Sequence, residues 1–178
     1  TGGIHMDGYL DTVDALASHQ TREKKLEIMK DPSCGAFAVI YSGVYLLAYA
    51  GFACEVYLAG EILLLCPLFV LSRALSGLCA VNLPNARKAG MLCAFTSLAR
   101  RRTATAALAL TGFAAAAGMI CFSPAAGGTA AVFAVLSALV YRRFAMAQFG
   151  GVTGDTSGFF LQLCELCGLV GAWVGGLL

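Results

Sequence analysis

Five stretches of the chain are nearly free of charge. They run from residues 35 to 53, 62 to 81, 104 to 122, 130 to 141 and 156 to 178. A helix needs about 20 consecutive apolar residues to cross the hydrocarbon of a bilayer, and a helix satisfies its own backbone groups there. The fourth stretch is short unless residues 125–129 join it. Pro124 would allow that, since proline is accepted at the first helical position. The third is dense in small residues, Ala114 to Ala117 and then Gly118, which permits close helix packing. Residues 18–33 follow another pattern: Arg22, Lys24, Lys25 and Lys30 stand beside Glu23, Glu27 and Asp31, with Leu26, Ile28 and Met29 as the apolar residues. That stretch predicts a short amphipathic helix at a membrane surface, ended by Asp31-Pro32. The whole pattern predicts an all-α fold: a polytopic integral membrane bundle of about five transmembrane helices with short amphipathic, interfacial helices.

Composition agrees. The 178 residues are 59% hydrophobic and 12% charged, where a soluble domain has about 25% charged residues. A net charge of +2 carries no nucleic-acid signal. The basic residues orient the bundle. Arg22, Lys24, Lys25 and Lys30 precede the first apolar stretch. Arg87, Lys88, Arg100, Arg101 and Arg102 lie between the second and third, and Arg142 and Arg143 precede the fifth. The remaining basic residue is Arg73, and the alternate loops hold none. The positive-inside rule makes the basic loops cytoplasmic. Most of the 8 cysteines sit in apolar runs and read as small hydrophobes. Cys164 and Cys167 form a C-x-x-C with no second pair, which leaves them without a zinc or redox partner set.

Two acidic clusters carry the candidate chemistry. In the opening stretch Asp7, Asp11 and Asp14 fall within about 60° of a helix face. Three like charges there repel, unless a hard divalent cation such as Mg2+ shares their oxygens with phosphate. The plain alternative is a solvated acidic face. The second cluster is Gly150-Gly151-Val152-Thr153-Gly154-Asp155-Thr156-Ser157-Gly158, followed by Gln162 and Glu165. Asp155, Gln162 and Glu165 share one face of about 80°, and Gly158 on that face would let a ligand approach closely. The glycines before Asp155 suit a loop that offers N–H groups to phosphate, or a plain re-entry turn. Glu165 and Arg73 lie inside apolar stretches, where a charge needs a cavity or a partner. They could pair as a structural bridge. The membrane crossings between the clusters cancel, so both acidic clusters arrive at one membrane face.

These motifs resemble the cobalamin synthase family, the adenosylcobinamide-GDP ribazoletransferases. The resemblance rests on H-M-D-G-Y-L-D-T-V-D from His5 to Asp14, E-I-M-K-D-P-S-C-G-A-F from Glu27 to Phe37, and Leu71-Ser72-Arg73. It continues through Pro84-Asn85-Ala86-Arg87 and G-G-V-T-G-D-T-S-G with Glu165. It covers nearly the whole chain. Family members carry further membrane segments ahead of the Gly-Gly-x-His motif, so the expectation is one membrane-embedded catalytic domain over 1–178 that lacks an N-terminal part. Gln162 stands where the family usually has glutamate, and Asn85 where tyrosine is common.

The resemblance implies a transferase. α-Ribazole or its 5'-phosphate attacks adenosylcobinamide-GDP through the ribose 3'-hydroxyl, and GMP leaves. Asp7, Asp11, Asp14 and Asp155 would hold Mg2+ against the phosphates. Lys30, Arg73 and Arg87 are candidates for phosphate contacts, and Asp31, Thr153, Gln162 and Glu165 complete the candidate substrate set. His5, Asp11 and Asp155 are the candidate catalytic residues; His5 would orient a carboxylate, act as general base, or serve only structure. The expected partners are both substrates and the lipid bilayer, with no nucleic acid, and a homo-oligomer stays open. The expected location is the inner membrane with the site toward the cytoplasm. Two other classes stand beside this one. A CDP-alcohol phosphotransferase-like enzyme would need an Asp-Gly-x-x-Ala-Arg run, whereas Asp7-Gly8 is followed by Tyr9-Leu10-Asp11-Thr12. A cation transporter would need mid-membrane acids on several helices, and only Glu165 qualifies.

Overall fold

The computed structural model describes residues 2–87 and 90–178. Among these residues there are eight α-helices and no strand. They are α1 (Ile4–Ala17), α2 (Arg22–Ile28), α3 (Ala36–Leu58), α4 (Leu65–Asn82), α5 (Met91–Leu98), α6 (Arg101–Phe122), α7 (Pro124–Phe149) and α8 (Gly154–Gly176). A 3-10 turn, Ile62–Leu64, leads into α4. Five helices are long and apolar enough to cross a membrane: α3, α4 with its leading turn, α6, α7 and α8. Their outer faces leave Leu47, Leu110 and Phe113 exposed. Lipid-facing side chains of this kind are what a membrane bundle presents. The chain is thus a polytopic membrane helical bundle.

Helix α8 is the axis of the packing, with α7, α1, α3 and α4 against it. Small residues set its closest approach. A Cβ at Gly171 would stand 2.8 Å from the Ala130 Cα, so α7 and α8 touch backbone to backbone. The Thr129 hydroxyl donates across this contact to the Gly171 carbonyl at 2.6 Å. Around it lie Leu64, Leu68, Leu71, Met119, Phe160 and Leu169, all fully buried. A smaller cluster of Tyr9, Val13 and Tyr45 ties α1 to α3.

The structure completes the sequence reading in one place and departs from it in three. The fourth apolar stretch extends into α7, with Pro124 at the helix start as its chemistry permits. Arg142 and Arg143 therefore lie on the last turns of α7 rather than in a loop, because no helix breaker separates them from the apolar run before Gly150. The amphipathic helix of residues 18–33 is shorter, Arg22–Ile28, capped by the Thr21 hydroxyl accepting from the Lys24 N–H. The loop between α4 and α6 contains α5, which charge-flanked Met91–Leu98 did not announce. Lys88, counted with that loop's basic residues, lies outside the described residues. Cys164 and Cys167 of the C-x-x-C are not joined to each other; Cys164 is buried against the Ala134 carbonyl, a packing role.

Candidate active site

The site is built where α1 crosses the start of α8. Two glycines make the crossing possible. A Cβ at Gly8 would stand 2.7 Å from the Asp155 carbonyl oxygen, and one at Gly158 would stand 3.0 Å from the His5 carbonyl oxygen. A side chain at Gly8 would force the backbones apart, and one at Gly158 would press on the α1 backbone more tightly than ordinary packing allows. Gly158 therefore admits the backbone of α1, not a ligand as the sequence suggested. The Tyr9 ring stacks on Phe159 at 5.5 Å and fixes the rotation of α1.

The first turn of α8 is held from two sides. Thr153 and Thr156 form a capping box, in which the Thr153 hydroxyl accepts from the Thr156 N–H at 3.1 Å and the Thr156 hydroxyl accepts from the Thr153 N–H at 2.8 Å. Tyr141 donates to the Thr156 hydroxyl at 3.1 Å. The loop before the cap is clamped to residues 84–86: the Val152 N–H donates to the Pro84 carbonyl and the Ala86 N–H to the Val152 carbonyl, each at 2.9 Å. The N–H groups of Gly150 and Gly151 are bonded to the end of α7. The glycine loop thus spends its donors on its own structure. The capping box and the Ser157 N–H bond to the Thr153 carbonyl leave the N–H groups of Gly154 and Asp155, at the start of α8, as the donors a phosphate could reach at this end.

The clamp also delivers Arg87. Its Nη1 donates to Asp155 Oδ2 at 2.8 Å and its Nη2 to the Leu26 carbonyl at 3.2 Å. His5, Asp7, Arg87, Thr153 and Asp155 line one cavity of about 330 Å3, with Asn85 on its wall and Met91, Leu92 and Phe95 of α5 at its rim. Two buried polar atoms here lack a partner, Asn85 Oδ1 and Arg87 Nε, one acceptor and one donor. Such atoms call for water or a ligand. Asn85 was read in the sequence only as a departure; its place on the wall follows from the backbone bridge to Val152, 67 positions away, which no local pattern signals.

The remaining candidates fall in three places. Asp11, one turn along α1 from Asp7, is half-buried, and burial followed by the charges of Asp7 and Asp155 pushes its carboxyl up to about 6 against the pull of Arg87. Asp14 caps α3 instead: its carboxylate accepts from the Gly35 N–H at 2.6 Å and the Ala38 N–H at 2.9 Å. Lys30 is exposed in a shallow depression with Glu23 and Glu27 that meets the cavity at Arg87 and Gly90. Asp31 is exposed and accepts from the Ser33 N–H at 2.9 Å, a turn before α3. Deeper along α8, Gln162 accepts from the Tyr45 hydroxyl. Buried Glu165 forms an ion pair with Arg73, the bridge that the sequence left open, and the Ser72 hydroxyl joins it at 3.3 Å. His5 lies between the two levels. Burial and the nearby Arg73 charge hold its imidazole below the usual 6.5.

Carboxylates around an acceptor-rich cavity have the hard oxygen donors that a cation such as Mg2+ takes. Among the described residues no three His, Cys, Asp or Glu side chains are placed together to hold a metal ion. Asp7, Asp11 and Asp155 are the carboxylates that could offer oxygens to a cation here, and any such ion would need most of its ligands from outside the protein.

The family model for cobalamin-5-phosphate synthase matches residues 1–173. The chain is similar to the adenosylcobinamide-GDP ribazoletransferase of Lachnoclostridium phytofermentans, 43% identical over 93% of this chain and 63% of that protein. It is 34% identical to the ribazoletransferase of Pseudomonas fluorescens over 96% of this chain and 69% of the relative. The corresponding protein of Desulfitobacterium hafniense is 34% identical over 97% of this chain and 68% of its own length. The chain thus spans roughly two thirds of the length of these relatives. No solved structure matches it.

Proposed function

The chain belongs to the cobalamin-5-phosphate synthase family, and from that premise we propose that it joins α-ribazole, or α-ribazole 5'-phosphate, to adenosylcobinamide-GDP and releases GMP. The ribose 3'-oxygen forms a new bond to the cobinamide-side phosphorus. The pyrophosphate P–O bond breaks, and GMP departs with the bridging oxygen. The observation that carries this reading is the glycine-to-backbone crossing of α1 and α8, which brings both acidic motifs and Arg87 to one cavity.

Each residue has a task that its position supports. Arg87 is a movable counter-charge, which can turn from Asp155 to a substrate phosphate, with its unpaired Nε as a further donor. The first turn of α8 offers N–H groups to the same phosphate. His5, neutral at pH 7 because its pKa is depressed, can accept the proton of the 3'-hydroxyl. Asp7, Asp11 and Asp155 would hold Mg2+, which supplies charge neutralisation on the pyrophosphate when bound. Asp14 supports them by fixing α3 against α1. Gln162, Glu165 and Arg73 form the floor toward the membrane interior. The basic residues on the site's side of the bundle support a cytoplasmic orientation in the inner membrane.

The test supplies the detergent-solubilised protein with adenosylcobinamide-GDP, α-ribazole or its 5'-phosphate, and Mg2+, and quantifies GMP. GMP release that needs both substrates supports the reading. Release of CMP from a CDP-alcohol, or no nucleotide release with cation transport in vesicles, overturns it.

A further inference from the structure

Helix α5 presents an apolar face with no protein on it. Met91, Phe95 and Leu98 are 69%, 70% and 87% exposed, and Ala94 is exposed beside them. The four fall within about 100° of the helix circumference. The opposite side is anchored: Leu92 packs on the main core, and the Thr96 hydroxyl accepts from Asn85 Nδ2 at 2.9 Å. Eight residues reach only about 12 Å, too short to cross a bilayer. Yet α5 connects α4 and α6, two helices long enough to cross, so it lies at the level where both meet the membrane surface. Exposed Arg100, Arg101 and Arg102 follow it, with no acidic residue between Leu83 and Phe122.

We propose that α5 is seated in the headgroup–acyl boundary of an anionic membrane through Leu98, Phe95 and Met91, so that lipid forms one rim of the site cavity. Apolar side chains there leave water, and neighbouring guanidinium groups meet anionic headgroups; this is how surface helices bind membranes. Charge complementarity favours an anionic lipid surface over a second copy of the chain, whose matching face is equally basic. The consequence reaches the site. Met91 and Phe95 stand at the cavity mouth, and the Thr96–Asn85 hydrogen bond joins α5 to the bridge that holds Val152 ahead of Asp155. Lipid contact then sets the position of the α5 roof. The inference does not depend on which reaction the site runs.

The test uses Leu98→Trp in a Trp173→Phe background, full chain, in phosphatidylcholine nanodiscs with or without phosphatidylglycerol. Leu98 lines no part of the cavity, and phenylalanine keeps a ring against Phe52 at position 173. The expected result is blue-shifted indole emission, strongly quenched by lipid brominated high on the acyl chain and weakly by iodide. Phosphatidylglycerol should deepen the bromine quenching, and Arg100→Gln with Arg102→Gln should abolish that dependence. Emission typical of water with full iodide quenching overturns the proposal. Shielding from both quenchers also overturns it, since protein then covers the face. Quenching indifferent to phosphatidylglycerol overturns the anionic assignment. Circular dichroism of each variant confirms that the helices are intact.

Discussion

Two arginine–carboxylate pairs lie on the same face of α8, ten residues or about 15 Å apart along the helix. In the outer pair, Arg87 and Asp155 have side chains 23% and 26% exposed, and both line the cavity. In the inner pair, Glu165 is only 9% exposed and Arg73 40%, and both sit on helices that cross the membrane. The same chemistry thus serves in two media. At the mouth, water reaches the pair, and on the proposed function a substrate phosphate competes for Arg87, so the pair is placed to open at small cost. In the bundle, each charge is the other's main compensation, and separating them strands a charge away from water. The outer pair is arranged for exchange and the inner pair for permanence. His5 sits between, lining the outer cavity while feeling the charge of Arg73.

The sharpest way to break this comparison is to remove one inner charge. Glu165→Gln leaves Arg73 with Ser72 and the Phe69 carbonyl and should destabilise the protein by about 3 kcal/mol, the low end for a broken buried pair because Arg73 can reach polar surroundings. Arg73→Met with Glu165→Met should recover most of that in a thermal-unfolding series in detergent. If the single substitution leaves the unfolding midpoint unchanged, the inner pair is not structural.

The outer carboxylates should respond the other way round. Asp155→Asn removes a charge from the cavity wall, and Asp11→Asn removes one from the turn of α1 behind Asp7, each keeping side-chain size. GMP release should drop roughly a hundredfold or more, about 2.7 kcal/mol of transition-state stabilisation. The unfolding midpoint should stay nearly unchanged in Asp155→Asn and, without Mg2+ at pH 7, rise in Asp11→Asn, since the amide never takes the charge that the fold disfavours. Full activity in both variants would return the acidic cluster to the status of a solvated face.

How far these roles were visible in the sequence follows from the range of the interactions. The spans were legible because hydropathy and helical period are local, and the shared face of Asp7 and Asp11 followed from their spacing alone. Asp14 looked equivalent to them, but its partners are the N–H groups of Gly35 and Ala38, 21 and 24 positions on, so its capping role was hidden. The Arg87–Asp155 pair spans 68 positions, and the clamp that forms it is a two-residue backbone bridge. Gly8 carries no signal of its own in the sequence and Gly158 reads as a ligand gap, whereas each faces the other helix's backbone. Helix α5 was obscured because eight residues between arginines carry too little periodic signal.

A pH series sharpens the outer half of the comparison. Asp11 is raised to about 6 from an ordinary 3.8, so the fold favours its protonated form. Its contribution to stability is full below about 4 and is lost as pH rises through about 6. Without added cation, the unfolding midpoint should therefore fall between pH 4 and pH 7 by this group's share. Mg2+ needs the deprotonated carboxylate, so the Mg2+-induced rise in midpoint should grow over the same interval. Asp11→Asn should flatten both trends. A Mg2+ effect that is equal at pH 5 and pH 7 would show that Asp11 does not take part in holding the cation.

Gln162 decides where the outer region ends and the inner begins, and the expected effect of changing it is the smallest. It stands seven residues from Asp155 and three from Glu165, and it accepts from the Tyr45 hydroxyl. Gln162→Glu keeps the acceptor, and a charged oxygen strengthens that hydrogen bond. Against this, a carboxylate three residues from Glu165 adds a like-charge neighbour on the helix, a penalty of about 0.5 kcal/mol. The two terms nearly offset. The unfolding midpoint should move by no more than about 1–2 °C, and GMP release should hold or rise, because another acid then faces the substrate side of α8. Unchanged stability with a lower KM places Gln162 in the outer, exchanging region. A lower midpoint with unchanged kinetics places it in the permanent one, and the boundary between the two pairs then lies above it, at His5 and Gly158.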